Sequence, residues 1–150
     1  MQTNIKNTGY AWPIQCPSIR RKMCRKYLYD NVMFDSSPEI AYYIWLKDHN
    51  IDFVFHPSLN IPYFDKDKNL HYYEPDFLIV ETHQLEDIKG KQFFKENVSF
   101  KLSYEYLACL KNNNVRLILE DEYMIYIDYC AKKFGCKKWY LKFKYHKSSK

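Results

Sequence analysis

Apolar and polar residues along the chain alternate between two periods, and the switches between them outline a mixed α/β domain. Tyr27 to Phe34 reads as a short hairpin around Asp30-Asn31. Pro38 to His49 follows helical spacing, with Ile40, Ala41, Ile44 and Trp45 on its inward face and Asn50 as its stop. Extended runs follow at Asp52 to Phe55, Asn60 to Phe64 and Leu70 to Val80, the last two joined by the turn Asp65-Lys66-Asp67-Lys68-Asn69. A short strand, Leu85 to Lys89, comes after the turn-sized Thr82-His83-Gln84. A helix near Ser99 to Asn113, a strand Val115 to Glu120 and a helix Glu122 to Phe134 complete the pattern. The order is α-β-β-β-α-β, which calls for a central mixed sheet flanked by helices, in a single domain.

The chemistry concentrates on the two strands in the middle of this order. In a tight antiparallel pair, Asp76 is expected nearly opposite Lys89, and Asp87 and Lys89 share a face because strand side chains alternate. Two carboxylates, together with waters and a phosphate oxygen, suit a hard octahedral ion such as Mg²⁺. That ion polarises a phosphate and supplies a hydroxide-like nucleophile. A lysine beside it orients the water or neutralises charge on the phosphorane. The plain alternative is a Pro-Asp turn followed by a solvated edge lysine.

The order Glu39, Pro75-Asp76, Asp87-Ile88-Lys89, with the stretches Tyr27 to Glu39, Ala41 to Leu46, Glu74 to Phe77 and Glu86 to Gly90, resembles the PD-(D/E)XK nuclease superfamily. The likeness is to its small phage-associated endonucleases and covers residues 20 to 130. It implies the restriction-endonuclease-like αβββαβ core and a Mg²⁺-dependent DNA endonuclease, with Mn²⁺ able to substitute, acting in phage or mobile-element DNA processing. It further implies that Asp76 and Asp87 are metal ligands, that Glu39 completes the metal site from its helix, and that Lys89 is the catalytic lysine. Lys91 and Gln92 fall where some relatives carry auxiliary residues. The chain has Asp87 at the position where Glu is commoner, with Glu86 just before it on the opposite face. A one-residue slip in register would exchange them. Glu39 also has a structural reading: with Ser37 as N-cap and Pro38 at the first helical position, it lies in the first turn, where the helix dipole favours a carboxylate.

Charge supports a nucleic-acid partner. The formal charge is +5, but Arg20, Arg21, Lys22, Arg25 and Lys26 and the eight lysines of residues 132 to 150 hold 13 of the 23 basic groups, leaving 10 against 18 acids elsewhere. Two positive flanks around an acidic body suit arms that bind phosphate and a body that binds metal. In the tail, Lys137, Lys138, Lys142 and Lys144 alternate with Trp139, Tyr140, Phe143 and Tyr145. This composition either tracks a nucleic-acid strand or packs its rings inward with lysines in solvent. The parts are therefore a basic arm to residue 26, a core over 27–134 and a basic aromatic tail over 135–150.

Other signals narrow the classes. Three glycines and no Gly-rich loop argue against a nucleotide-phosphate cradle. Five cysteines at irregular spacing disfavour a disulfide framework. Cys109 and Cys130 lie on apolar stripes as core thiols, and Cys16, Cys24 and Cys136 with His146 could hold zinc only if the termini meet. His56 reads as a hydrogen-bonded core residue with the site as its alternative. No membrane span is expected, and the location is cytoplasmic, in the host if phage-encoded. Small size suggests a homodimer or a specificity-supplying protein partner. A catalytically silent DNA-binding module and a phage-encoded interaction or inhibitor protein on the same scaffold are the competing classes.

Overall fold

The computed structural model describes residues 26–90 and 102–146. Among them no helix is long and apolar enough to cross a membrane. The chain divides into two compact units, Met1–His49 with Met124–Lys150, and Asn50–Tyr123.

In the first unit, β1 (Tyr27–Tyr29) and β2 (Val32–Phe34) form the expected hairpin, with Tyr27 opposite Phe34. Its two turn residues, Asp30 and Asn31, have φ of 57° and 62°. This is the left-handed pair of a type I′ turn, which Asn and Asp tolerate better than most residues. Helix α1 (Ser37–Asp48) starts one residue earlier than expected. Ser36, not Ser37, is its N-cap, and Asn50 beyond its end has φ 56°. Helix α1 buries Ile40, Ala41, Tyr42, Tyr43, Ile44 and Leu46, whereas Trp45 is half-buried and stacks on His49. Helix α3 (Glu120–Phe134) begins in the other unit and belongs here from Met124 onward. It ends at Gly135, φ 69°, with Cys136 N–H donating to Ala131 C=O at 3.1 Å, the closure that satisfies a helix C-terminus.

The tail forms a 3-10 helix, Trp139–Phe143, with its rings inward. Trp139 is fully buried, donates from Nε1 to Ile127 C=O at 3.1 Å and stacks on Phe134, while Phe143 meets Tyr29 edge-on. Lys137, Lys138, Lys142 and Lys144 are exposed. Of the two readings of the tail, inward packing is the one observed. Cys130 is buried in this unit as expected.

The second unit holds the central sheet. Its strands β3 (Phe53–Phe55), β6 (Phe77–Ile79), β7 (Gln84–Ile88) and β8 (Arg116–Ile118) lie in that order, the first two pairings antiparallel and the last parallel. The sheet is mixed, as expected. The single strand expected over Leu70 to Val80 is instead two. Strand β5 (Leu70–Tyr73) pairs with β4 (Ile61–Phe64) in a separate hairpin, and β6 joins the central sheet. The break falls at residues 74–76, where Pro75 has no N–H to continue a ladder. Helix α2 (Tyr104–Asn112), with Ser103 as its N-cap, starts five residues after the expected Ser99, and residues 99–101 lie outside the described residues. Cys109 and Leu110 of α2 pack with Tyr73, and Ile61, Tyr63, Tyr106, Leu107, Val115 and Leu117 close around them.

Candidate functional site

Strands β6 and β7 pair with Phe77 opposite Glu86 and Ile79 opposite Gln84. The register differs by two residues from the one expected, because the connecting turn spans residues 80–83 and is closed by His83, φ 59°, donating to Val80 C=O at 3.4 Å. Asp76 therefore stands level with Asp87, not Lys89. A shift of two leaves every side chain on its original face, so the membership of the cluster is unchanged.

Backbone bonds fix Asp76 from three sides. Its N–H donates to Glu86 C=O at 3.2 Å, its C=O accepts from His56 N–H at 2.8 Å, and its Oδ2 accepts from Ile88 N–H at 2.9 Å. The last bond ties the carboxylate to the strand segment between Asp87 and Lys89. His56 reaches this position with φ 56°, a left-handed conformation uncommon before proline.

Asp87 is opposite Leu117 and only 1 % exposed. Lys89 Nζ lies 2.9 Å from Asp87 Oδ2 and 5.3 Å from the centre of the Tyr106 ring, while Lys89 N–H donates to Ile118 C=O at 3.1 Å. The ammonium approaches Asp87 Oδ2 as a charge, and that oxygen has no donor in hydrogen-bond geometry among the described residues. Tyr106 meets Tyr73 edge-on, ring centres 5.6 Å apart. Burial alone would discharge Lys89, but the Asp87 carboxylate and then Tyr106 outweigh it and raise its pKa well above the usual lysine range. Burial, followed by the Asp87 charge, pushes the Tyr106 hydroxyl up to about 12. Tyr73 is driven well above the ordinary tyrosine value, first by burial, then by the charge of Asp87 and its hydrogen-bonding influence. Lys89 is thus a fixed cation at neutral pH, and both phenols keep their protons.

Glu86 faces the other way. It is 4 % exposed, and Arg116 Nε approaches its Oε2 at 3.0 Å while the same guanidinium grips Glu122 at 2.7 and 2.9 Å. The carboxylate that shares the lysine's face is Asp87.

Glu39 belongs to the first unit. Its N–H donates to the N-cap Ser36 Oγ at 3.4 Å, and its Oε1 accepts from Asp35 N–H at 3.1 Å. These bonds and the helix dipole supply a local reason for a buried carboxylate there.

Among the described residues no three His, Cys, Asp or Glu side chains converge as a metal cage. The pair Asp76 and Asp87 fits an ion that takes one or two carboxylates and fills its shell with water and phosphate, as Mg²⁺ does, and does not fit a closed zinc site. Asp87, buried, and Asp76 level with it supply the carboxylate oxygens that such a cation takes.

Of the basic candidates, Lys26 is ion-paired with Asp35. Lys142 reaches Phe134 C=O at 3.5 Å. Arg20, Arg21, Lys22, Arg25, Lys91 and Gln92, and the cysteines Cys16 and Cys24, lie outside the described residues. Sequence reasoning did not single out Tyr73 or Tyr106 for the site. The only signal for either was the inward stripe Leu102, Tyr106, Cys109, Leu110, which places Tyr106 against the sheet without indicating Lys89. Comparison with protein families, with curated proteins and with solved structures finds no match.

Proposed function

We propose that the second unit carries the centre of a metal-dependent DNA endonuclease that hydrolyses phosphodiester bonds with water. The observation that carries this reading is the Asp87–Lys89 pair: a carboxylate 1 % exposed, on a strand end, with a cation 2.9 Å away and Asp76 tied to the next residue by a 2.9 Å bond. Buried charges of this kind are costly to assemble for stability alone. Residues 50–123 also hold 13 acidic against 8 basic side chains, an excess that a divalent cation relieves. The order of helix, three sheet strands, helix and strand, with the β4–β5 hairpin inserted, is compatible with the restriction-endonuclease-like core.

Bound Mg²⁺ would be held by Asp76 and Asp87 and would supply Lewis-acid polarisation of the phosphate and a more acidic water. The chain's own residues do the positioning. Asp76 is oriented by Ile88 N–H, and Asp87 is held by burial on β7, level with Leu117 of β8. Lys89, kept charged by Asp87, offers an ammonium to the attacking water or to the negative charge growing on phosphorus.

The test is cleavage of supercoiled plasmid and of labelled single-stranded, duplex and branched DNA with Mg²⁺, Mn²⁺ or EDTA. Metal-dependent cutting lost in Asp76→Ala and Lys89→Ala is expected. A folded protein that cuts no substrate would refute the reading. One observation favours an interaction protein instead: the outer face of the β4–β5 hairpin exposes Phe64, Leu70 and Tyr72 beside Pro62. Absence of cutting would move the assignment there.

A further inference from the structure

The first unit carries an uncompensated positive surface on the end of α3 and the 3-10 helix that follows it. Lys132, Lys137, Lys138, Lys142 and Lys144 are exposed and meet no acid among the described residues, whereas Lys26, Lys47 and Lys133 are paired with Asp35, Asp30 and Asp48. No Asp or Glu follows Asp128 in the chain. The C-terminal end of α3 accounts for little of this, because a helix end carries about half a negative charge, which one or two lysines offset. Lys142 Nζ already stands 3.5 Å from Phe134 C=O. The lysines are also held on a fixed backbone. Trp139, Tyr140 and Phe143 pack on Phe134, Tyr27 and Tyr29, Lys144 bridges to Tyr27, and Tyr145 N–H donates to Lys26 C=O at 2.9 Å. Ammonium groups gathered in this way repel one another until a polyanion lies against them.

We propose that this lysine surface of the first unit binds the phosphate backbone of duplex DNA without reading its sequence. A duplex presents one negative charge per about 1.7 Å of its axis, the densest counterpart such a surface can meet. Lysine contacts to phosphate fix a protein on the duplex and do not distinguish bases. Trp139, Tyr140 and Phe143, turned inward, are not open to stack on unpaired bases or to anchor in a lipid surface. The choice of DNA among polyanions rests on the nuclease reading above, but the binding itself needs neither metal nor cleavage.

The test is fluorescence anisotropy of the full chain with two labelled duplexes of unrelated sequence, in EDTA, at about 50 to 200 mM NaCl. Both duplexes should bind alike, and log Kd should rise with log[NaCl]. Combining Lys137→Gln, Lys138→Gln and Lys142→Gln should weaken both by roughly 10- to 100-fold at about 0.1 M salt and lower the salt slope by about 2–3, since each phosphate contact contributes about 0.9. The same three positions changed to Arg should bind within about threefold of the wild type, and Lys47→Gln, taken from an existing ion pair, within about twofold. Unchanged affinity and slope in the Gln variant would overturn the proposal. So would a wild type that separates the two duplexes by more than about tenfold, or one that leaves DNA unbound, including one that binds only phosphatidylserine vesicles. A wild type that binds DNA in EDTA, loses it in the Gln variant and yet cuts none with Mg²⁺ would support the surface and refute the nuclease reading, so the two failures are distinct.

Discussion

Replacing Lys89 with methionine keeps the aliphatic stem and removes the charge 2.9 Å from Asp87 Oδ2. At an effective dielectric near 20, two unit charges at that separation attract by about 6 kcal/mol, most of which offsets the cost of having taken both from water. Losing one partner leaves that cost in place, and Asp87, 1 % exposed against 18 % for the lysine side chain, cannot recover its hydration. The expected loss is about 3–4 kcal/mol, including about 0.5–1 kcal/mol from the ammonium over Tyr106. Urea unfolding, with m unchanged, measures it. Adding Asp87→Asn to Lys89→Met should restore part of the loss, because no buried charge is then left alone. If the centre binds a divalent ion, Mg²⁺ should stabilise Lys89→Met more than the wild type, by up to about 2.7 kcal/mol at a hundred times Kd. The sign in pH follows from the raised pKa of Lys89: the pair stabilises fully below the unfolded lysine value, about 10.4, and loses its contribution as pH rises through the higher folded value. A loss under about 1 kcal/mol, or no recovery on adding Asp87→Asn, would refute the reasoning.

Further perturbations probe each surrounding part. Arg116→Ala should cost about 2 kcal/mol in chemical denaturation by removing the guanidinium from buried Glu86, the value discounted because the guanidinium is 41 % exposed, with cleavage within about threefold since this face is opposite Lys89. Glu39→Gln keeps an acceptor for Asp35 N–H and should change stability by less than about 1 kcal/mol; cleavage should be unaltered, and a loss would assign its carboxylate a role beyond starting α1. Trp139→Ala should lower stability by about 3–5 kcal/mol, read by thermal unfolding, since a fully buried ring and its bond to Ile127 are lost together. The Asp65 carboxyl, held at about 2 by His71 and then by Asn69 N–H, should show that midpoint by NMR and rise in His71→Ala. Its stabilising effect is present above the unfolded value, about 3.9, and is lost as pH falls through the folded one.

The features legible in the chain were those decided within a few residues. Asp30-Asn31 between two apolar triplets could form little but a tight hairpin. Ser36 to Glu39 carries its own helix start, and the alternation Glu86, Asp87, Ile88, Lys89 assigns faces whatever the partner strand. For that reason the grouping of Asp87 with Lys89 survived a register shifted by two. The break at Pro75 was also written locally, but the apolar run from Leu70 to Val80 masked it until two different partner strands claimed its halves. The choice of Asp76 as the level partner of Asp87, the capture of Glu86 by Arg116 thirty positions away, and the enclosure of Lys89 by Tyr106 were decided only by tertiary structure. Sequence sets the period and the face of a side chain, because these follow from backbone geometry. Which charge it meets there, and how dry that meeting is, depends on strands and helices brought together from distant parts of the chain.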